Sequence, residues 1–124
     1  MTFRNDFYFI DAVDRTENGV SYTLRFNADH VIYQAHFPGE PITPGVCILQ
    51  VGVELLSDAV GCEIELFHVK NVKFLNVLHP DGEPVYAEVR KIIQSEGQVS
   101  AQIDFRKGDT PVAKMSLICR MTVK

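Results

Sequence analysis

His36 opens the stretch HFPGEPITPGVCILQVGVELLSDAVG, where most of the residues able to do chemistry are gathered. An imidazole changes charge close to neutral pH, so His36 can take up a proton without extreme tuning of its surroundings. Gly45 falls where a helix begins. Further on, Gln50, Glu54 and Asp58 recur at i, i+4 and i+8, which puts them on one stripe of that helix. The stripe interrupts an otherwise apolar surface, so it must face a cavity, a partner subunit or a buried hydrogen-bond network. A loop histidine standing alone is most often bonded to backbone, and Glu54 can equally well bond Gln50 or a neighbouring cation.

The remaining reactive side chains carry weaker signals. His30 sits in a polar link, His68 in a strand and His79 in a turn, and no pair has metal-site spacing. No metal or other cofactor is therefore expected. Cys47 lies in the first turn of the helix, where a thiolate is favoured. Its neighbours are apolar, so a packed small hydrophobe is the better description of it and of Cys62 and Cys119.

These residues need elements to hold them. Prolines at 38, 41 and 44 fix φ three times between His36 and the helix, and Gly39 permits a backbone angle that other residues avoid. The helix is expected over 44–60, with Thr43 as N-cap, Pro44 in the first position and Gly61 as the stop. Val46, Ile48, Leu49, Val51, Val53, Leu55, Leu56, Ala59 and Val60 predict near-complete burial. Around it the chain reads as strands. Phe7–Asp14 is apolar and aromatic, and 20–26 alternates cleanly. Asn27–Gln34 reads as an irregular link. Ile64–Val77 is strand-like, with a bulge or bend expected near Asn71 and Asn76. Val85–Ile93, Val99–Phe105 and Val112–Val123 follow, separated by Ser95-Glu96-Gly97 and Lys107-Gly108-Asp109 turns. In the last strand Ala113, Met115, Leu117, Cys119, Met121 and Val123 share a face. The class is α+β, an antiparallel sheet wrapped around a single long helix, and 1–124 reads as one domain.

Composition narrows the function classes. A net charge of −4, with no basic run interleaved with aromatics, argues against a nucleic-acid partner. The N-terminal stretch carries acids inside its apolar run and lacks a small-residue cleavage site, so it does not read as a signal peptide. The helix is too short to span a bilayer. Three cysteines without C-x-x-C spacing fit a reducing, cytoplasmic setting.

HFPGEPITPGV followed by an apolar helix resembles the signature of the β-hydroxyacyl-(acyl-carrier-protein) dehydratases of fatty acid synthesis. VKNVKFLNVLHPDGEPVYAEVRKI is similar to that family's next strand pair, with Pro80-Asp81-Gly82 in place of its usual Pro-Gly-Asp turn. The resemblance implies a hotdog fold, a curved antiparallel sheet around the central helix, and a dimer with active sites at the subunit interface. It also implies a cis peptide bond between His36 and Phe37. Carried over by motif position, His36 is the catalytic histidine. Gly45 supplies the N–H that polarises a thioester carbonyl, and Phe37 and Val46 join it in contacting substrate. The family's carboxylate, fourteen residues after the histidine and supplied by the partner subunit, is here Gln50. The glutamine that the family commonly carries four residues later is here Glu54, so acid and amide are exchanged along one helix face.

Three activities follow from that exchange. The first is dehydration of a (3R)-3-hydroxyacyl thioester, on acyl carrier protein or coenzyme A, with Gln50 or Glu54 in place of the usual acid. The second is hotdog thioester hydrolysis with a helix carboxylate activating water. The third is a non-catalytic or half-active subunit paired with a relative that keeps the acid. A homodimer is expected, with a heterodimer or a higher oligomer as alternatives. Lys70, Lys73, Arg90, Lys91, Arg106 and Lys107 are candidates for a basic rim facing an acidic carrier.

Overall fold

The computed structural model describes residues 2–122. Six strands, β1 (Tyr8–Thr16), β2 (Gly19–Phe26), β3 (Ile64–Phe74), β4 (Val85–Ser95), β5 (Gln98–Lys107) and β6 (Thr110–Met121), form one antiparallel sheet in the order β1-β2-β4-β5-β6-β3. Two helices, α1 (Val31–Ala35) and α2 (Gly45–Val60), lie between β2 and β3. Three hairpins close through two-residue loops, at Glu17–Asn18, Glu96–Gly97 and Gly108–Asp109. Glu96 and Gly97 both have positive φ, 51° and 78°, the geometry that matches the twist of paired strands. Register shifts in β1, β3 and β4 supply the bulges that let the sheet curve round α2.

The core is the space between α2 and the concave sheet. Cys47, Ile48, Val51, Val53, Leu55 and Leu56 from the helix meet Leu24, Val89, Ile103, Met115 and Leu117 from the strands, all buried. Gly52 lets the helix approach closely, because a Cβ there would stand 2.8 Å from the Met115 sulfur. Along β6 the expected face is realised. Ala113, Met115, Leu117 and Cys119 are buried and Met121 is half-buried, while Val123 lies outside the described residues.

Four local expectations are corrected. Asn27–Gln34 is not wholly irregular, for it runs into α1. The His30 ring nitrogen Nδ1 accepts from Ile32 N–H as the cap, and Tyr33 stacks on Phe7 at 5.3 Å. Thr43 does not cap α2. Its hydroxyl is engaged with Tyr33 Oη at 2.8 Å, so Pro44 takes the N-cap position and Gly45 the first helical one. β3 ends at Phe74 rather than Val77, because the N–H groups of Leu75 and Asn76 turn toward Val112 O. Burial of α2 is less complete than expected: seven of its sixteen residues are buried, Leu49, Ala59 and Val60 are only half-buried, and Val46 is 73% exposed.

Candidate active site

His36 closes α1 and begins a tight loop. Its N–H donates to Ile32 O at 3.0 Å, and the His36–Phe37 peptide bond is cis, as the resemblance implied. Phe37 N–H donates to Glu40 O (3.1 Å) and Glu40 N–H returns the bond to Phe37 O (2.9 Å). Gly39, at φ 80°, makes that reversal in the left-handed region. Ile42 N–H then donates to His36 O at 2.8 Å, so the loop is closed on the histidine's own carbonyl. From outside, the loop is held by Thr43 N–H to Leu78 O (2.9 Å) and by His79 Nδ1 to Pro41 O (3.0 Å). The His36 and Phe37 side chains project to solvent, with ring centroids 5.3 Å apart.

The loop runs directly into α2. Pro44 provides no side-chain cap, and its carbonyl accepts from Cys47 and Ile48. Gly45 and Val46 thus occupy the first turn, whose N–H groups have no acceptor within the helix. The Phe74 ring lies against Gly45, where a Cβ would come within 2.9 Å of it. Around this point Ile42, Ile48, Phe74, Leu75, Val77 and Leu78 line most of an apolar cavity of about 320 Å³.

The polar stripe of α2 is half-buried and organised as a network. Gln50 Nε2 donates to Glu54 Oε2 at 2.9 Å. Glu54 also accepts from Phe3 N–H (2.8 Å), Arg4 N–H (2.9 Å) and Tyr8 O–H (3.1 Å). One turn on, Asp58 accepts from Tyr22 O–H at 2.7 Å and pairs with Arg4 at 3.0 Å. Burial pushes both tyrosine hydroxyls well above their ordinary range, and the adjoining carboxylates push them further. The stripe borders a cavity of about 390 Å³ that reaches Ile64 at the start of β3.

Gln50 and Glu54 are therefore brought together, Phe37 lies beside His36, and Gly45 and Val46 form the helix start. Glu54 stands nine residues beyond Gly45, about 13 Å along the helix. Its carboxylate is turned to the N-terminal segment. The sequence carried no sign of this segment's role, because the donors at Phe3 and Arg4 are backbone N–H groups common to any residue. Tyr8 and Tyr22 were legible only as core. Cys47 and Cys119 are buried, which raises both thiols, Cys119 to about 11, as for packed hydrophobes, whereas Cys62 is exposed, against expectation. Among the described residues no cluster of three or more His, Cys, Asp or Glu can hold a metal ion. No described helix is long and apolar enough to cross a membrane.

With this geometry in view, comparison with known proteins is decisive at the family level. The model of the ApeI-like family, ApeI dehydratase, matches residues 12–114. The chain belongs to the ApeI-like dehydratase family. It is 29% identical over 121 residues to a 3-hydroxyacyl-[acyl-carrier-protein] dehydratase FabZ of Thermotoga neapolitana, covering 93% of this chain and 87% of that one. It is 32% identical over 101 residues to the FabZ of Levilactobacillus brevis, covering 73% and 68%. Among solved structures, the dehydratase heterocomplex ApeI:P from Xenorhabdus doucetiae superimposes with a TM-score of 0.70 at 16% identity, over 90% of this chain and 96% of that one. A hypothetical thioesterase with coenzyme A from Streptococcus pneumoniae gives 0.66 at 10% identity, over 98% and 93%. At those identities the two structures establish the fold alone, the hotdog fold expected from the sequence.

Proposed function

We propose that this dehydratase-family chain removes water from a (3R)-3-hydroxyacyl thioester to give the trans-2-enoyl thioester. The observation that carries the reading is His36, exposed on a closed loop that leads into the uncapped start of α2 at Gly45. His36 takes the proton from C2, and the electron pair of that C–H bond becomes the C2=C3 double bond. The thioester oxygen, enolate-like in transit, faces the N–H of Gly45 and the helix dipole. The C3–O bond breaks, and the proton carried by His36 returns to the departing hydroxyl, so water leaves and the imidazole is regenerated. Gln50 orients that hydroxyl by hydrogen bonding, since a carboxamide delivers no proton. Glu54, with four donors already on its two oxygens, positions Gln50. Phe37, Gly45 and Val46 contact the thioester, which is carried on acyl carrier protein or coenzyme A in a reducing cytoplasm.

A second copy completes the site. β3 is a sheet edge, and Leu66, Phe67, Phe74, Leu75 and Val77 along it and at its exit are exposed apolar side chains. Pairing there covers the unpaired strand edge and sets one subunit's α2 stripe near the other's His36. Of the basic residues proposed for a carrier rim, Arg90 is paired with Asp104, Lys107 with Asp81, and Arg106 stacks on Tyr86.

One observation favours a second reading, a half-active subunit. The Xenorhabdus doucetiae neighbour is a dehydratase heterocomplex, which suits a chain whose Gln50, by resemblance, stands at the acid position. The two readings separate in an assay for enoyl thioester formation, with the chain alone and then mixed with a relative that keeps a carboxylate at the Gln50 position. Turnover by the chain alone supports the first. Turnover only on mixing supports the second, and thiol release without enoyl product contradicts both.

A further inference from the structure

His79 is exposed on the loop between β3 and β4, yet its backbone is closely placed. Leu78 and Pro80 on either side are buried, Leu78 O accepts from Thr43 N–H, and His79 O accepts from Asp81 N–H at 3.0 Å. Asp81 is tied to Lys107 at the end of β5 and accepts from Glu83 N–H at 3.1 Å. The ring therefore hangs from a fixed support, with Nδ1 3.0 Å from Pro41 O. A carbonyl can only accept, so Nδ1 carries the proton.

Pro41 O and Ile42 N belong to one planar peptide group. On one side that group accepts from His79; on the other its N–H donates to His36 O at 2.8 Å. The chain Nδ1–H···O=C–N–H···O=C thus joins the His79 ring to the carbonyl of His36 through a single rigid unit. Hydrogen bonds linked in this way polarise one another, so the outer bond strengthens the inner one. Pro41 has no N–H of its own, and Pro38 and Pro44 remove two more donors from the same stretch. Few backbone groups remain to hold this loop, which raises the weight of the few that do.

The geometry points to His79 as a positioning residue that sets the His36 loop through the Pro41–Ile42 peptide group. The inference rests on His36 being the catalytic base for its kinetic consequence, but not for its structural one. His79 touches no reacting atom; it acts by fixing where His36 begins.

Two variants and two readouts test this on the full chain. In His79→Ala the donor is lost; in His79→Asn the side-chain amide places an N–H near the former Nδ1. With a 3-hydroxyacyl thioester, His79→Ala is expected to lower kcat about tenfold, the scale of a small misplacement of a reacting group, with KM little changed. His79→Asn is expected to recover most of kcat. Independently of activity, nitrogen NMR of the parent should show His79 protonated at Nδ1 in its neutral form. Exchange of the Ile42 amide should quicken in His79→Ala and return toward the parent rate in His79→Asn. An Nε2–H tautomer, or Ile42 exchange unmoved in His79→Ala, overturns the inference whether or not the chain is a dehydratase. Altered exchange in a chain that does not dehydrate in any variant leaves the loop support standing and removes the proposed function instead. Equal kcat in His79→Ala and the active parent overturns the positioning role.

Discussion

Gln50 Nε2 lies 2.9 Å from Glu54 Oε2, and that bond fixes one face of the residue proposed to orient the departing hydroxyl. Glu54 is fixed in turn by two backbone N–H groups and the Tyr8 hydroxyl. The pair is thus a unit: an amide held in place by a carboxylate that is itself held by the N-terminal segment.

Glu54→Gln tests the support. The new amide nitrogen would confront donors already aimed at a carboxylate, leaving at least one of them unsatisfied. Stability should fall by about 1–3 kcal/mol, and amide exchange at Phe3 and Arg4 should quicken. Chemical denaturation and exchange measurements read both. Unchanged protection at Phe3 and Arg4 would sink the proposed anchoring role.

Gln50→Glu tests the missing acid. A carboxyl at position 50, where the resemblance implies one, should raise dehydration by one to two powers of ten, within the roughly 10²–10⁴ assigned to general acid catalysis. Two carboxyls one turn apart raise each other's apparent pKa, so Gln50→Glu combined with Glu54→Gln is the cleaner variant. A rate no higher in either variant than in the parent would contradict the role given to this position.

How much of this was legible depended on the kind of group involved. The helix, the strands and the shared face of β6 follow from side-chain periodicity alone. Thr43 was misplaced because its competing partner, Tyr33, is ten residues back, in a stretch whose short helix is stabilised by contacts with Phe7 and Thr43. The polar stripe was readable as a stripe, but not its partners. Backbone donors at Phe3, Arg4 and Ile42 leave no mark in a sequence, and for the same reason His79 looked like an ordinary turn histidine.

Gly52→Ala tests the close approach of α2 to the sheet. The added methyl would meet the buried Met115 sulfur at 2.8 Å. Overpacking of this kind costs about 1–3 kcal/mol, read as a lower denaturation midpoint with an unchanged slope. A midpoint equal to the parent's would show that Met115 moves aside freely.

Alkaline titration tests the buried tyrosines. Burial, with Glu54 and Asp58 adding to it, raises Tyr8 and Tyr22, and burial raises Tyr33 to about 12. An unfolded chain loses these protons near pH 10 while the folded chain keeps them. Stability from this source is therefore complete below about pH 10 and declines as pH rises beyond it. Tyrosinate absorbance from these three residues should appear together with unfolding. Their ionisation near pH 10 in a chain that circular dichroism shows still folded would contradict the arrangement.

The most direct test of the account is dehydration of a 3-hydroxyacyl thioester by the purified chain and by its His36→Ala variant, followed by enoyl thioester absorbance. Turnover is expected from the parent, with a loss of at least about a hundredfold in the variant, the lower bound for removing a general base. A His36→Ala chain that dehydrates as fast as the parent would contradict it.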